Sequence, residues 1–179
     1  MRSFFSIFSL AICAIILTYL VGCFYAYFYP MKYKDEIYEY SSQYQVEAAL
    51  IASIANTESS FNEKACSSKG AVGIMQLMPS TAKWLADKMG EQYSEEMLYD
   101  GSYNIKLGSY YISYLISQFE DEKVALCAYN AGQGNVREWL KNSEFSADGK
   151  TLDKIPFKET KNYINKVYKN YNYYKNRYK

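Results

Sequence analysis

Hydrophobic and polar positions divide the chain into two regimes. From Phe4 to Tyr29 there is no charged residue, and Pro30 closes the run. A helix needs about 20 apolar residues to cross a hydrocarbon core of roughly 30 Å, so the stretch is long enough to span a membrane. Tyr19, Tyr25, Tyr27 and Tyr29 gather toward its far end, where amphipathic rings suit the membrane–water boundary. Arg2 ahead of it favours an internal amino terminus and an external remainder, against the opposing charges of Lys32 and Lys34.

Beyond Pro30 the pattern is that of a helical globular protein with short connections. Val46, Leu50 and Ile54 recur every four residues with Ala48, Ala49, Ile51 and Ala52 between them, which predicts a helix to about Glu58 that is buried on most sides. Ser59 to Met78 reads as a loop. Pro79 suits the first turn of the next helix and Gly90 its exit. Ile105, Tyr111, Ile112, Leu115, Ile116 and Phe119 form another helical stripe, and Lys123 to Asn130 a shorter apolar helix closed by Ala131-Gly132. Lys141 to Lys154 is expected to be a mobile surface loop, followed by a Lys/Tyr-rich helix over Glu159 to Lys179. No run alternates with period two for long enough to make a half-buried strand, so the class is mainly α.

The 179 residues are 49% hydrophobic and 22% charged, which fits one ordinary domain over residues 31–179 behind the apolar segment of residues 1–30. Twenty basic residues against nineteen acidic leave a net charge of +1, so there is no global basic field to hold a nucleic acid. Histidine is absent. Its absence removes Ser-His-Asp and Cys-His catalysis and the commonest zinc ligand sets, and leaves acid–base work to carboxylates, Tyr, Lys or Cys. Cys13, Cys23, Cys66 and Cys127 form no C-x-x-C pair. Cys66 and Cys127 are expected to be free thiols, the alternative being one disulfide outside the cytoplasm. Leu20-Val21-Gly22-Cys23 is similar to a lipoprotein cleavage box, which would make Cys23 a lipidated terminus. A cleaved secretory signal is the third possibility, and each of the three exports the rest of the chain.

Three segments carry candidate chemistry. Glu58, in Thr57-Glu58-Ser59-Ser60, ends an apolar helix before a glycine-containing loop. A carboxyl there loses hydration, which disfavours its charged form and raises its pKa toward that of a general acid. Taken alone it reads as a solvated helix-end glutamate, as most glutamates are. Gly70 to Ala82 is an apolar loop with one amide, Gln76, and by itself could be a Met-rich core plug. Ala125 to Gly132 sets the phenol of Tyr129 beside the amide of Asn130, at what could be an ordinary helix cap.

Taken together and in this order, the segments resemble the lytic transglycosylase domain of bacterial cell-wall enzymes, related in fold to goose-type lysozyme. The resemblance runs from about Tyr33 to Val167 and rests on Glu58-Ser59, on Gly73-Ile74-Met75-Gln76 with Met78-Pro79-Ser80-Thr81-Ala82, on Ala128 to Gly132, and on Glu159-Thr160 with Tyr163 and Val167. Asn104-Ile105 with Gly108, and Ser67 with Gly70-Ala71, also match. Ile74 stands where Leu is more frequent, a conservative change. The resemblance implies a lysozyme-like helical domain with an active-site groove, preceded here by one transmembrane helix.

By that resemblance Glu58 is the catalytic acid and then base. Ser59 orients it or the substrate, Met75 and Gln76 line the sugar groove, Tyr129 and Asn130 face the scissile region, and Tyr163 hydrogen-bonds near Glu58. The substrate is peptidoglycan, cleaved between N-acetylmuramic acid and N-acetylglucosamine to leave 1,6-anhydro ends, with no metal or organic cofactor. Ordinary glycosidases use two carboxyl groups, whereas this route needs one. A water-using muramidase on the same fold would require a second, for which Asp87, Asp100 and Glu63 are candidates, and a non-catalytic wall-binding module would need none. The expected partners are glycan strands and, through the apolar segment, the cytoplasmic membrane. The chain is expected to be a monomer with an extracytoplasmic domain.

Overall fold

The structure, a computed structural model, describes residues 2–178, the side chains of residues 2–9 and 11 excepted. The chain forms two compact units that meet in sequence between Met31 and Lys32. The first contains helix α1, Arg2–Phe28. The membrane-spanning expectation for Phe4–Tyr29 falls partly on side chains outside those described. Among the described residues, no helix is long and apolar enough to cross a membrane.

Among the described residues the second unit has seven helices, α2 (Lys34–Tyr44), α3 (Ala48–Ser59), α4 (Pro79–Met89), α5 (Gly101–Phe119), α6 (Glu122–Ala131), α7 (Gln133–Lys141) and α8 (Lys158–Tyr174), with a 3-10 turn at Glu95–Tyr99. Helix α3 is its axis. Every residue from Ala48 to Asn56 is buried, because a helix apolar on all faces must be enclosed by others. It packs most extensively on α8 and also on α2 and α5, while α6 joins α5, α7 and α8. Asn170 ties α8 to α3 by donating to the Thr57 hydroxyl at 2.9 Å.

Local chemistry sets the boundaries. Pro79 occupies the first turn of α4 and Gly90, at φ 70°, caps its end. Asp100 and Asp121 cap α5 and α6 by accepting from the Tyr103 and Val124 amides. The segment Lys141–Lys154, expected to be mobile, is laced to itself and to the core. Asp148 accepts from the Lys150 and Thr151 amides, Lys123 donates to the Leu152 carbonyl at 2.9 Å, and Leu152 is buried. All four cysteines are free thiols; Cys66 is exposed and Cys127 is buried in α6.

Candidate active site

The loop between α3 and α4 is a small backbone lattice. Val72 and Leu77 exchange both main-chain hydrogen bonds, at 2.9 and 3.0 Å, and the Ser67 amide donates to the Ala71 carbonyl at 2.9 Å. Buried Asn104 of α5 holds the lattice from beneath. Its amide oxygen accepts from the Met75 N–H at 2.7 Å, and its nitrogen donates to the Val72 and Leu98 carbonyls at 3.1 and 2.9 Å. The backbone here leaves no room for a side chain at residue 73. A Cβ on Gly73, whose φ is 81°, would lie 2.2 Å from the Asn104 nitrogen.

Beside this loop a groove of about 460 Å³ opens between α3, α4, α5, α6 and the start of α8, lined among others by Glu58, Gln76, Met78, Thr81, Tyr111, Tyr129, Asn130 and Glu159. Glu58 sits in the last turn of α3, where burial pushes its pKa from 4.5 up to about 7. Two neighbours modify that effect. The Tyr163 hydroxyl favours the charged form, and more weakly the Glu159 carboxylate disfavours it. Even so, the Tyr163 oxygen, buried at 6% residue exposure, meets no partner at ordinary hydrogen-bond geometry.

The expected site residues divide by what they touch. Tyr129 lines the groove and donates to the Met75 carbonyl at 2.9 Å, while burial, the Glu58 charge and Tyr111 raise its pKa and keep it a neutral donor. Asn130 lines the groove and accepts from the Thr160 hydroxyl at 2.8 Å. Gln76, at φ 48°, spends its amide nitrogen on the Gly73 and Ala65 carbonyls at 2.9 and 3.2 Å. Ser59 turns away from the groove to donate to the Ile74 carbonyl at 2.7 Å, clamping the helix end to the loop.

Met75 corrects the sequence expectation of a groove-lining side chain. It is 0% exposed and packs on α5 at Gly108, where a Cβ would fall 2.3 Å from its sulfur, so only its backbone serves the site. The candidate second carboxylates are likewise displaced. Asp87 pairs with Lys83 and Asp100 caps α5, and neither these nor Glu63 line the groove. Glu159 does line it, exposed at the rim and 3.8 Å from Lys69. Tyr111, which lines the groove and meets the Tyr129 ring at 5.1 Å, was not singled out from the sequence as a site residue, and Thr160 reaches the site through its hydrogen bond to Asn130.

Known proteins resemble this chain in sequence and fold. The soluble lytic murein transglycosylase of Escherichia coli (strain K12) is 36% identical over 143 residues, which cover 78% of this chain and 22% of the relative. The membrane-bound lytic murein transglycosylase C of Haemophilus ducreyi is 29% identical over 161 residues, covering 77% and 44%. Among solved structures, an inactive glutamate-to-glutamine mutant of the lytic transglycosylase Slt from Pseudomonas aeruginosa matches with a TM-score of 0.73 at 34% identity, over 83% of this chain and 25% of that one. The 70 kDa soluble lytic transglycosylase of Escherichia coli matches with a TM-score of 0.72 at 34% identity, over 82% and 24%. The chain therefore has the mainly helical, lysozyme-like fold of the solved enzymes; it spans about a quarter or less of the length of the soluble transglycosylases and under half of the membrane-bound one. The family description "Transglycosylase SLT domain" matches residues 35–152, and with that match and these relatives the chain belongs to that family.

Proposed function

We propose that the chain is a peptidoglycan lytic transglycosylase in which Glu58 acts first as acid and then as base. The observation that carries this reading is the Glu58 carboxyl held in a groove with its pKa raised to about 7, so that a large fraction is protonated near neutrality yet ionisation remains accessible. The relatives' names and the inactivating glutamate substitution in the Pseudomonas enzyme support it.

In this mechanism the Glu58 proton passes to the oxygen that links C1 of N-acetylmuramic acid to N-acetylglucosamine. The C1–O bond breaks and the second sugar leaves with its hydroxyl restored. The carbonyl oxygen of the substrate's own acetamido group closes on C1 and holds the positive charge. The Glu58 carboxylate then takes the proton of the C6 hydroxyl, O6 displaces the acetamido oxygen from C1, and a 1,6-anhydro ring forms with Glu58 reprotonated. No water enters.

The neutral groups around Glu58 suit this cycle, because a nearby cation would pin the carboxylate in its charged form. With its amide nitrogen committed to the backbone, Gln76 offers its amide oxygen to the strand. Asn130, whose oxygen is taken by Thr160, offers its nitrogen. The Tyr163 hydroxyl is available to hold the carboxylate after proton transfer. Ser59 and Met75 act as positioning residues, through Ile74 and through the loop backbone. Hydrolysis by a second carboxylate is the less supported reading, since Glu159 is exposed and paired with Lys69 at the rim.

Helix α1 would anchor this domain to the cytoplasmic membrane with the groove outside, and the domain would act as a monomer, since one chain supplies the whole groove lining. Deleting residues 1–30 should release the protein from membranes with its activity on isolated sacculi intact; retention in high salt would contradict the anchor. The catalytic reading is tested by Glu58→Gln, which preserves size but delivers no proton. Turnover should fall by ~10²–10⁴ or more while sacculus binding persists. Near-native turnover in the folded variant would refute Glu58 as the acid.

A further inference from the structure

A series of aromatic rings continues from the groove's lining to residues outside it. Thr81 on α4 and Tyr111 on α5 line the groove, and one helical turn further along each helix stand Trp84 and Tyr114. The rings form a connected series. Tyr129 meets Tyr111 at 5.1 Å, Tyr111 meets Trp84 at 6.4 Å, and Trp84 meets Tyr114 at 5.1 Å. Another turn along α4, the Lys88 ammonium lies over both outer rings, 5.1 Å from the Trp84 centroid and 5.5 Å from that of Tyr114. Trp84 and Tyr114 are half-buried and Lys88 is exposed.

This placement is not what packing alone requires. Tyr111 already closes the inner end of the cluster, and the α4 core contacts come from Ala82, Leu85 and Ala86 on the other face. The outer rings are therefore half-buried aromatic surface joined through Tyr111 to the groove lining. Among the described residues Lys88 forms no ion pair, whereas Lys83 on the same helix is paired with Asp87. Lys88 lies seven positions beyond Thr81 on α4, a rise of about 10 Å, enough for the strand to continue past the cleavage point by at least one more sugar.

Resting on the transglycosylase reading, we propose that Trp84 and Tyr114 form an extension of the glycan-binding groove that seats sugars distant from the cleaved bond, and that Lys88 takes a carboxylate of the peptide stem carried by that part of the strand. The apolar C–H faces of pyranose rings pack on aromatic surface. An exposed cation–ring contact is weak enough for Lys88 to exchange the rings for a carboxylate when a strand arrives. The extension makes the enzyme sensitive to strand length and to peptide substitution without touching the reacting atoms.

The test uses the full chain and three variants, Trp84→Leu, Tyr114→Leu and Lys88→Gln, with muropeptide oligosaccharides of two lengths, with and without stems. Circular dichroism and melting curves confirm folding. Both ring variants should raise KM on long strands by about three- to tenfold at unchanged kcat, and leave the shortest cleavable saccharide unaffected. Lys88→Gln should raise KM only on long strands that bear stems. Equal losses on short and long substrates would make the ring pair structural and overturn the proposal, as would no loss on either. If the wild-type chain released no anhydro product from any substrate, the transglycosylase reading itself would fail. Retention of long, uncleaved strands would then decide the extension separately: weaker retention by Trp84→Leu supports it and equal retention overturns it.

Discussion

The Tyr163 hydroxyl is buried beside the Glu58 carboxyl without an ordinary hydrogen bond to it. The phenol favours the charged carboxylate, while burial disfavours it more strongly. A donor left unpaired next to an acid is suited to the moment after the proton has gone, when the carboxylate must be held until it takes a proton back. Tyr163→Phe should therefore cost little or no stability, since it removes an unsatisfied buried hydroxyl. Turnover should nevertheless fall by roughly tenfold, with the pKa of Glu58 moving further up. Urea melts alongside pH–rate profiles check this; a large loss of stability would show that Tyr163 serves only the core.

Glu58 also couples pH to stability. Its pKa is 4.5 in the ordinary state and about 7 in the fold, so between these values the folded chain binds more protons than the unfolded one and stability declines as pH rises. The full penalty, of the order of 3 kcal/mol, is reached above pH 7 and is absent below about 4.5. Glu58→Gln should accordingly be more stable than the wild type at pH 8 and nearly equal to it at pH 4, as judged by urea midpoints. A variant destabilised at pH 8 would argue against a buried, reluctant carboxylate.

Much of this was readable from residue order because the deciding physics was local. Pro79 and Gly90 bound α4 through fixed φ and a left-handed cap, and the unbroken apolar run of α3 announced a helix with no solvent face. Glu58 at the end of that run was legible for the same reason. Met75 was not, since a groove residue and a core residue beside a groove share the same position in a motif, and only the approach of Gly108 distinguishes them. Helix α7 offers few apolar positions, chiefly Val136 and Trp139, too short a stripe to stand out. The hydrogen bonds of Asp148 and Lys123 that lace the Lys141–Lys154 segment are not revealed by its polar composition.

The loop lattice predicts a sharp steric penalty. Gly73→Ala would press a methyl group to within 2.2 Å of the Asn104 nitrogen and 2.4 Å of the Leu98 carbonyl, at a φ that L-residues avoid. It should cost roughly 2–4 kcal/mol in urea unfolding and displace Gln76 enough to lower turnover. Gly134→Ala, with no atom within 4 Å of the added carbon, is the control and should be near neutral.

The thiols should differ in reactivity. Cys66 is exposed, whereas Cys127 is buried with its pKa pushed up to about 12, so it holds almost no thiolate at neutral pH. Brief alkylation of the native chain, mapped by peptide mass, should label Cys66 and spare Cys127, and unfolding without reductant should expose both. A peptide pair two mass units light would reveal a disulfide instead.

Mass spectrometry of the muropeptides released from purified peptidoglycan tests the central claim most directly. Transglycosylation by Glu58 retains no water, so the new ends should be 1,6-anhydro-muramoyl residues, one water lighter than reducing ends, and should disappear with Glu58→Gln. Reducing ends as the main product would show that a water molecule attacks C1, and would move the chain from lyase to hydrolase.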